Sequence, residues 1–295
     1  MTVAVRGGAY SGAGLGGCDD GLVIDLSAMH GVRVDPTMRT ARVEGGCTWG
    51  DVDHASHAFG LATVSGIIST TGVGGLTTGG GHGHLTRQCG LNIDNLLEAD
   101  LVLADGRFVT VSDPQYPDLF WAIRGGGGNF GVATSFLFQL HPVRLVNAGP
   151  TLWELEHSAA VLRWYRDFLT AAPESLNGFF ASLSVPPGSP FPEHLHNRMM
   201  CGVVWCHNGP EQEARELLAA VHDAAETLPE ASGSARTIRD GGLKGVNFRR
   251  YLQKGPVDDL PVTGTTGRVS SVQRRTQGTR RTNANHAAWS RMPEK

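Results

Sequence analysis

Short apolar runs alternate with glycine-rich gaps along this chain. Thr2–Val5 and "LVIDL" (Leu22–Leu26) predict strands, and Ala41–Glu44 predicts part of a third. A helix follows. Thr48 can cap it with Asp51 three residues on, Trp49, Val52, Ala55 and Phe59 keep helical spacing, and Gly60 ends it. "ADLVLADGRFVTV" (Ala99–Val111) predicts a hairpin around Asp105-Gly106, a pair that tolerates positive φ. "DPQYPDLFWAIRGGGGNFG" predicts a short helix entering a glycine turn, and "VATSFLFQL" (Val132–Leu140) a strand. Composition changes near Pro142–Pro150. Beyond it, Glu154–Thr170 predicts a helix, "GFFASLSV" (Gly178–Val185) and "MMCGVVWC" (Met199–Cys206) predict strands, and Glu211–Leu228 predicts a helix after Pro210. After about Pro261 the pattern ends. Thr263–Pro293 has no acidic residue and too little apolar surface to offset its ordering entropy, so it predicts a disordered tail.

Composition narrows the function classes. The chain has 295 residues, 40% of them hydrophobic and 18% charged, the profile of a globular protein with a sizeable core. A net charge of -3 gives no support for a nucleic-acid partner. The five cysteines (Cys18, Cys47, Cys89, Cys201, Cys206) form no C-x-x-C pair, which argues against a zinc site or a disulfide scaffold and for a reducing compartment, the cytoplasm. No apolar stretch approaches the roughly 20 residues of a membrane span, and no signal peptide is visible. The first lysine is Lys244, so a phosphate bound by the first half must be held by backbone N–H groups or arginine. A lysine-bearing phosphate loop is excluded there.

Glycine is the outlier, with 40 residues concentrated before position 150. "VSGIISTTGVGGLTTGGGHGHLTRQCG" (Val64–Gly90) is too long for an idle loop. Two G-x-G-x-x-G matches occur, at Gly12/Gly14/Gly17 and Gly126/Gly128/Gly131. A Rossmann fingerprint needs a following helix, whose N-terminus holds the pyrophosphate. Both matches lead instead into predicted strands. The alternatives are tight turns between short strands, or glycine loops that nest an anion with consecutive N–H groups and lie flat against a ring system.

The stretches "VAVRGGAYSGAGL", "DDGLVIDLSAMHGVRVDP", "ARVEGGCTWGDVD", "GLATVSGIISTTGVGGLTTGGG", "GLNIDNLLEADLVLADG" and "DLFWAIRGGGGNFGVATSFLFQLHPV" resemble, in order and spacing over residues 3–143, the berberine-bridge-enzyme-like FAD-linked oxidases of the vanillyl-alcohol-oxidase and p-cresol-methylhydroxylase (PCMH) superfamily. Residues 150–228, with "VLRWYRDFL", "VPPGSPFPE" and "CGVVWC", resemble that family's substrate domain. The resemblance implies an α+β fold: an incomplete PCMH-type FAD-binding domain over 1–146, a partial substrate domain over 147–262 with an antiparallel sheet covered by helices, and a basic tail over 263–295. It implies FAD as cofactor and these cofactor-binding positions. Arg6, Gly7, Gly8, Ala9, Tyr10 and Ser11 form the loop beside flavin and pyrophosphate. Ser65, Gly66, Ser69, Thr70, Thr71, Gly72, Gly74 and Gly75 form the main pyrophosphate loop. Gly79, Gly80, Gly81, His82 and Gly83 line the cofactor, Asp94 and Asn95 support it, and Gly128, Gly131 and Val132 close the far side.

The sequence departs from the family pattern in three places. Tyr10 stands where the family commonly carries a flavin-linked histidine, and Ile68 where some members carry a linking cysteine. Non-covalent FAD beside a packed Tyr10 is therefore expected. The chain begins five residues before Arg6, and nothing after residue 230 matches the family's closing segment, so both ends look truncated. The implied activity is hydride transfer from a small organic substrate to flavin, with molecular oxygen as acceptor and no nucleic-acid or membrane partner. The rival reading is a catalytically inactive remnant. No catalytic base is identified. His82 and His84, two apart on a predicted strand, can titrate near neutrality, and Tyr165 and Glu156 read as helix-face residues.

Overall fold

The structure is a computed structural model that describes residues 1–143, 146–188, 191 and 193–227. The expected tail over 263–295 lies outside the described residues, as does the segment after α6. The elements are β1 (Val3–Arg6), β2 (Leu22–Asp25), β3 (Val32–Asp35), β4 (Thr40–Glu44), α1 (Trp49–His57), β5 (Leu61–Ala62), α2 (Val73–Thr78), α3 (Thr86–Cys89), β6 (Leu96–Val102), β7 (Phe108–Val111), α4 (Pro117–Ile123), β8 (Val132–Gln139), β9 (His141–Pro142), β10 (Asn147–Glu154), α5 (Ser158–Ala171), β11 (Leu176–Ser184), β12 (Met199–His207) and α6 (Glu211–Thr227). Strands and helices mix in the α+β manner expected.

Two sheets carry the architecture. The first is five-stranded and antiparallel, ordered β3-β4-β8-β6-β7. Alternation along β4 and β6 sends Ala41, Val43, Ala99 and Leu101 to one face, where they meet Trp49 and Val52 of α1, Val73 of α2 and Phe120 of α4. The opposite face is polar. There Asp100 accepts hydrogen bonds from Thr110 (2.7 Å) and Ser135 (2.6 Å), and Arg42 pairs with Glu98 and Asp100. The sheet thus buries one side and keeps charges on the other. Its strongest local signal is the start of α1, where Asp51 accepts from both the Thr48 N–H and the Thr48 hydroxyl at 2.8 Å, a cap worth about 1 kcal/mol. Phe59 departs from expectation: it falls in the turn beyond α1 and is exposed, while Ser56 takes the inward position.

The second sheet is antiparallel, ordered β10-β12-β11, with α5 and α6 packed on one face. Trp205 of β12 is fully buried at its centre, ringed by Trp164 (6.1 Å between centroids), Tyr165 (5.9 Å) and Phe168 (5.7 Å) of α5. Gly178 faces it across the strand pair because a Cβ there would come within 2.8 Å of the indole. Such ring pairs add about 0.5–1.5 kcal/mol each beyond area burial. The other face holds Leu152, Val185, Leu195 and Met200. Two expectations shift here. Residues 154–157 end β10 and form a 3-10 turn, so the helix starts at Ser158. β10 itself spans a run of Pro, Gly and Asn in which no strand period is visible.

Candidate cofactor site

The glycine clusters converge. The Arg6–Ser11 loop leaves β1, and Gly8 lies against Gly72: a Cβ on Gly8 would sit 2.4 Å from the Gly72 Cα. Gly72 in turn bridges to Thr48, with Trp49 N–H donating to Thr71 O and Val73 N–H to Cys47 O. Gly83 presses on Gly66 in the same way, its added Cβ falling 2.7 Å from the Gly66 nitrogen. Asn92 N–H donates to Gly81 O (2.8 Å) and Ile93 N–H to Gly80 O (3.1 Å), and both Gly125 and Gly127 N–H groups donate to Thr78 O at 3.0 Å. Four segments far apart in sequence therefore form one continuous backbone surface. Side chains at Gly8, Gly66, Gly72 or Gly83 would break it.

A second set of glycines does something else. At Gly75, Gly80, Gly125, Gly127 and Gly128 an added Cβ would meet nothing within 4 Å. Gly80 is itself buried yet faces open space. These positions pave the surface rather than pack it. At its centre stands the start of α2. Gly72 has no side chain to cap the helix, so the first-turn N–H groups at Gly74 and Gly75 have no capping acceptor. An uncapped, side-chain-free helix start is suited to an anion. The stretch Val64–Gly90, too long for an idle loop, contains α2 and α3. Packing of Val73 and Thr77 into the core overrides the poor helix propensity of V-G-G-L-T-T. Open paving, uncapped amides and no lysine together fit a flat dinucleotide diphosphate such as FAD.

The remaining expected residues divide. Arg6 is exposed, and Ser11 caps its own turn by accepting from Leu15 N–H at 3.3 Å. Ala9 takes a left-handed φ of 54°, a cost of roughly 1–2 kcal/mol. Tyr10 beside it is 51% exposed. Ser65, Ser69 and Thr71 are half-buried, Thr70 and Gly79 are exposed, and Ser65 bonds to Asp53 of α1. Burial pushes the Asp53 carboxyl up to about 7, with the Ser65 bond pulling the other way. Asn95 has its amide committed to Cys89 O and Leu91 O and its oxygen to His141, so its support is structural. Asp94 accepts from Leu91 N–H and stands 3.7 Å from Arg124. Val132 starts β8 opposite Val102, and Gly131 just before it lies against the Val102 carbonyl.

His82 and His84 do not share a strand face. No strand forms there; His82 is exposed, while His84 is largely covered and its ring lies 5.8 Å from Phe179 of β11. Burial, and then the neighbouring His82, pulls the His84 pKa down. Tyr165 donates to Gly178 O at 2.7 Å and is structural, and Glu156 is exposed. Sequence reasoning misses three contributors: Asn92, fully buried and bonded to Val64 O; Arg124, bonded to Ile93 O at 3.1 Å; and Asp53. "GLNIDN" holds Asn92 two residues before Asp94, a local signal for the first. The others depend on tertiary approach.

Residues 1–112 match the family described as FAD binding domain. The chain has a fold similar to that of berberine-bridge-enzyme-like FAD-linked oxidases. It is 40% identical over 210 residues to FAD-linked oxidoreductase pgmH of Aspergillus terreus, covering 68% of this chain and 40% of that protein. The structure of 6-hydroxy-D-nicotine oxidase from Arthrobacter nicotinovorans matches with a TM-score of 0.66 at 32% identity, over 81% of this chain and 49% of that one. The structure of a single-site variant of berberine bridge enzyme matches with a TM-score of 0.64 at 26% identity, over 76% and 45%. The chain thus spans less than half the length of each relative. Among the described residues no helix is long and apolar enough to cross a membrane, and all five cysteines are free.

Proposed function

We propose that this chain is an FAD-dependent oxidoreductase that oxidises a small organic molecule, with oxygen as the terminal acceptor. The observation that carries this reading is the paired glycine pattern: one set packs the four segments together and the other leaves an open, side-chain-free floor at an uncapped helix start. The chemistry FAD supplies is hydride acceptance from a substrate carbon and return of the electrons to oxygen. The chain's part is to bind and orient. The uncapped Gly74 and Gly75 N–H groups would hold the diphosphate, Gly80 and Gly128 leave room for flat rings, and Arg124 and Asn92 fix the Ile93 and Val64 backbone beside them. Tyr10 stands where the resembled family commonly carries a linking histidine, so FAD is held non-covalently in this reading.

In this reading residues 1–146 bind the cofactor and 147–262 form the substrate side. Free cysteines support residence in the cytoplasm. The test is anaerobic mixing of FAD-loaded protein with a panel of small alcohols, amines and sugars. Loss of the yellow colour with one of them, and its return with hydrogen peroxide on admitting air, supports the proposal. A loaded protein that no compound bleaches, although dithionite does, overturns it.

A further inference from the structure

We propose that Arg87 is a positioning residue that ties the shape of the Gly79–Gly83 floor to the second sheet. The guanidinium of Arg87, on α3, donates to three carbonyls: Ala172 (2.8 Å) and Pro173 (2.8 Å), just beyond the C-terminus of α5, and Leu176, the first residue of β11. The first two lie past the last turn of a helix, where a cation is favoured. Three bonds from one planar fork fix both distance and angle, which an ammonium cannot do.

The same short segment is held twice more. The Asn177 amide, almost fully buried on β11, donates to Gly83 O at 2.9 Å, and the Asn208 amide donates to Gln88 at 2.7 Å. Gly83 is also pinned from its own side, its N–H donating to the Thr86 hydroxyl at 2.8 Å and its Cα region pressed on Gly66. Gly83 thus sits between the pyrophosphate loop and the second sheet, and Arg87 locks the helix that follows it. Gly80 and Gly81 adopt φ of 108° and 73°, a conformation that glycine enters and leaves readily, and their carbonyls are held by the Ile93 and Asn92 N–H groups. Releasing Arg87 removes the anchor of the helix behind Gly83, so the floor samples other shapes more often, and apparent cofactor affinity falls by the fraction of time the right shape is lost.

This inference rests on the flavin reading above for its binding arm and stands alone for its exchange arm. The experiment compares the full chain with R87A and R87K by amide hydrogen exchange and by FAD titration. The expected result is faster exchange confined to residues 79–84 without FAD, and an FAD dissociation constant raised by about tenfold in R87A, with R87K between the two. A merely structural arginine would lower the melting temperature while leaving floor exchange and affinity alone. That result, or wild-type exchange and affinity in folded R87A, overturns the proposal. Should R87A not fold, R87K is read by the same criteria. Wild-type protein that binds no FAD would sink the flavin reading, while the exchange comparison would still decide the role of Arg87.

Discussion

Gly72→Ala and Gly75→Ala lie three residues apart and should behave in opposite ways. A Cβ on Gly72 would stand 2.7 Å from the Gly8 nitrogen and 2.9 Å from its Cα. Both are backbone atoms, so one loop must move. Forced expansion of a packed contact costs about 1–3 kcal/mol, and each kcal/mol lowers the melting temperature of a domain this size by roughly 2–4 °C. Gly72→Ala should therefore melt several degrees lower and lose FAD binding. Gly75 has open space around an added Cβ and lies within α2. Replacing a helical glycine by alanine stabilises by about 0.5–1 kcal/mol. Gly75→Ala should melt slightly higher than wild type without FAD, yet bind FAD more weakly because the methyl intrudes on the floor. The assay is differential scanning fluorimetry with and without FAD. Gly75→Ala binding FAD with wild-type affinity would refute the division into packing and paving glycines, as would Gly72→Ala with wild-type melting.

Asp53 should impose a pH dependence. Its carboxyl is raised from 3.8 to about 7, so the folded chain keeps a proton that the unfolded chain releases. Stability from this group accordingly declines as pH rises from about 4 to about 7 and levels off above. Asp53→Asn should flatten that slope in urea melts at several pH values; a slope unchanged in the variant contradicts the assignment. FAD bound by the wild-type chain should be released by acid denaturation, read by filtration and flavin absorbance, and flavin retained on a Tyr10 peptide would contradict non-covalent binding.

The elements whose apolar positions keep a regular period can be read directly. Trp49 and Val52 on α1, the Asp105-Gly106 hairpin and the β8 alternation are set by local rules, and each forms close to its expected bounds. β10 and α2 cannot be read so. Pro150 and Gly149 lie within β10, and α2 holds two adjacent glycines; tertiary pairing with β12 and burial of Val73 decide both. Glycine clustering announces a backbone surface. It does not say that Gly72 packs while Gly75 faces outward, since the two look alike in sequence and differ only in what lies opposite. Arg87 and Asp53 are invisible for the same reason: their partners at Ala172 and Ser65 are 85 and 12 positions away.

The most direct measurement is titration of FAD into the intact chain, followed by hydrogen exchange. The expected result is saturable binding, a melting temperature that climbs with FAD concentration as mass action requires, and new protection at residues 66–75 and 79–83. Saturating FAD that changes neither the melting temperature nor exchange at those glycines would contradict a backbone cradle for the cofactor.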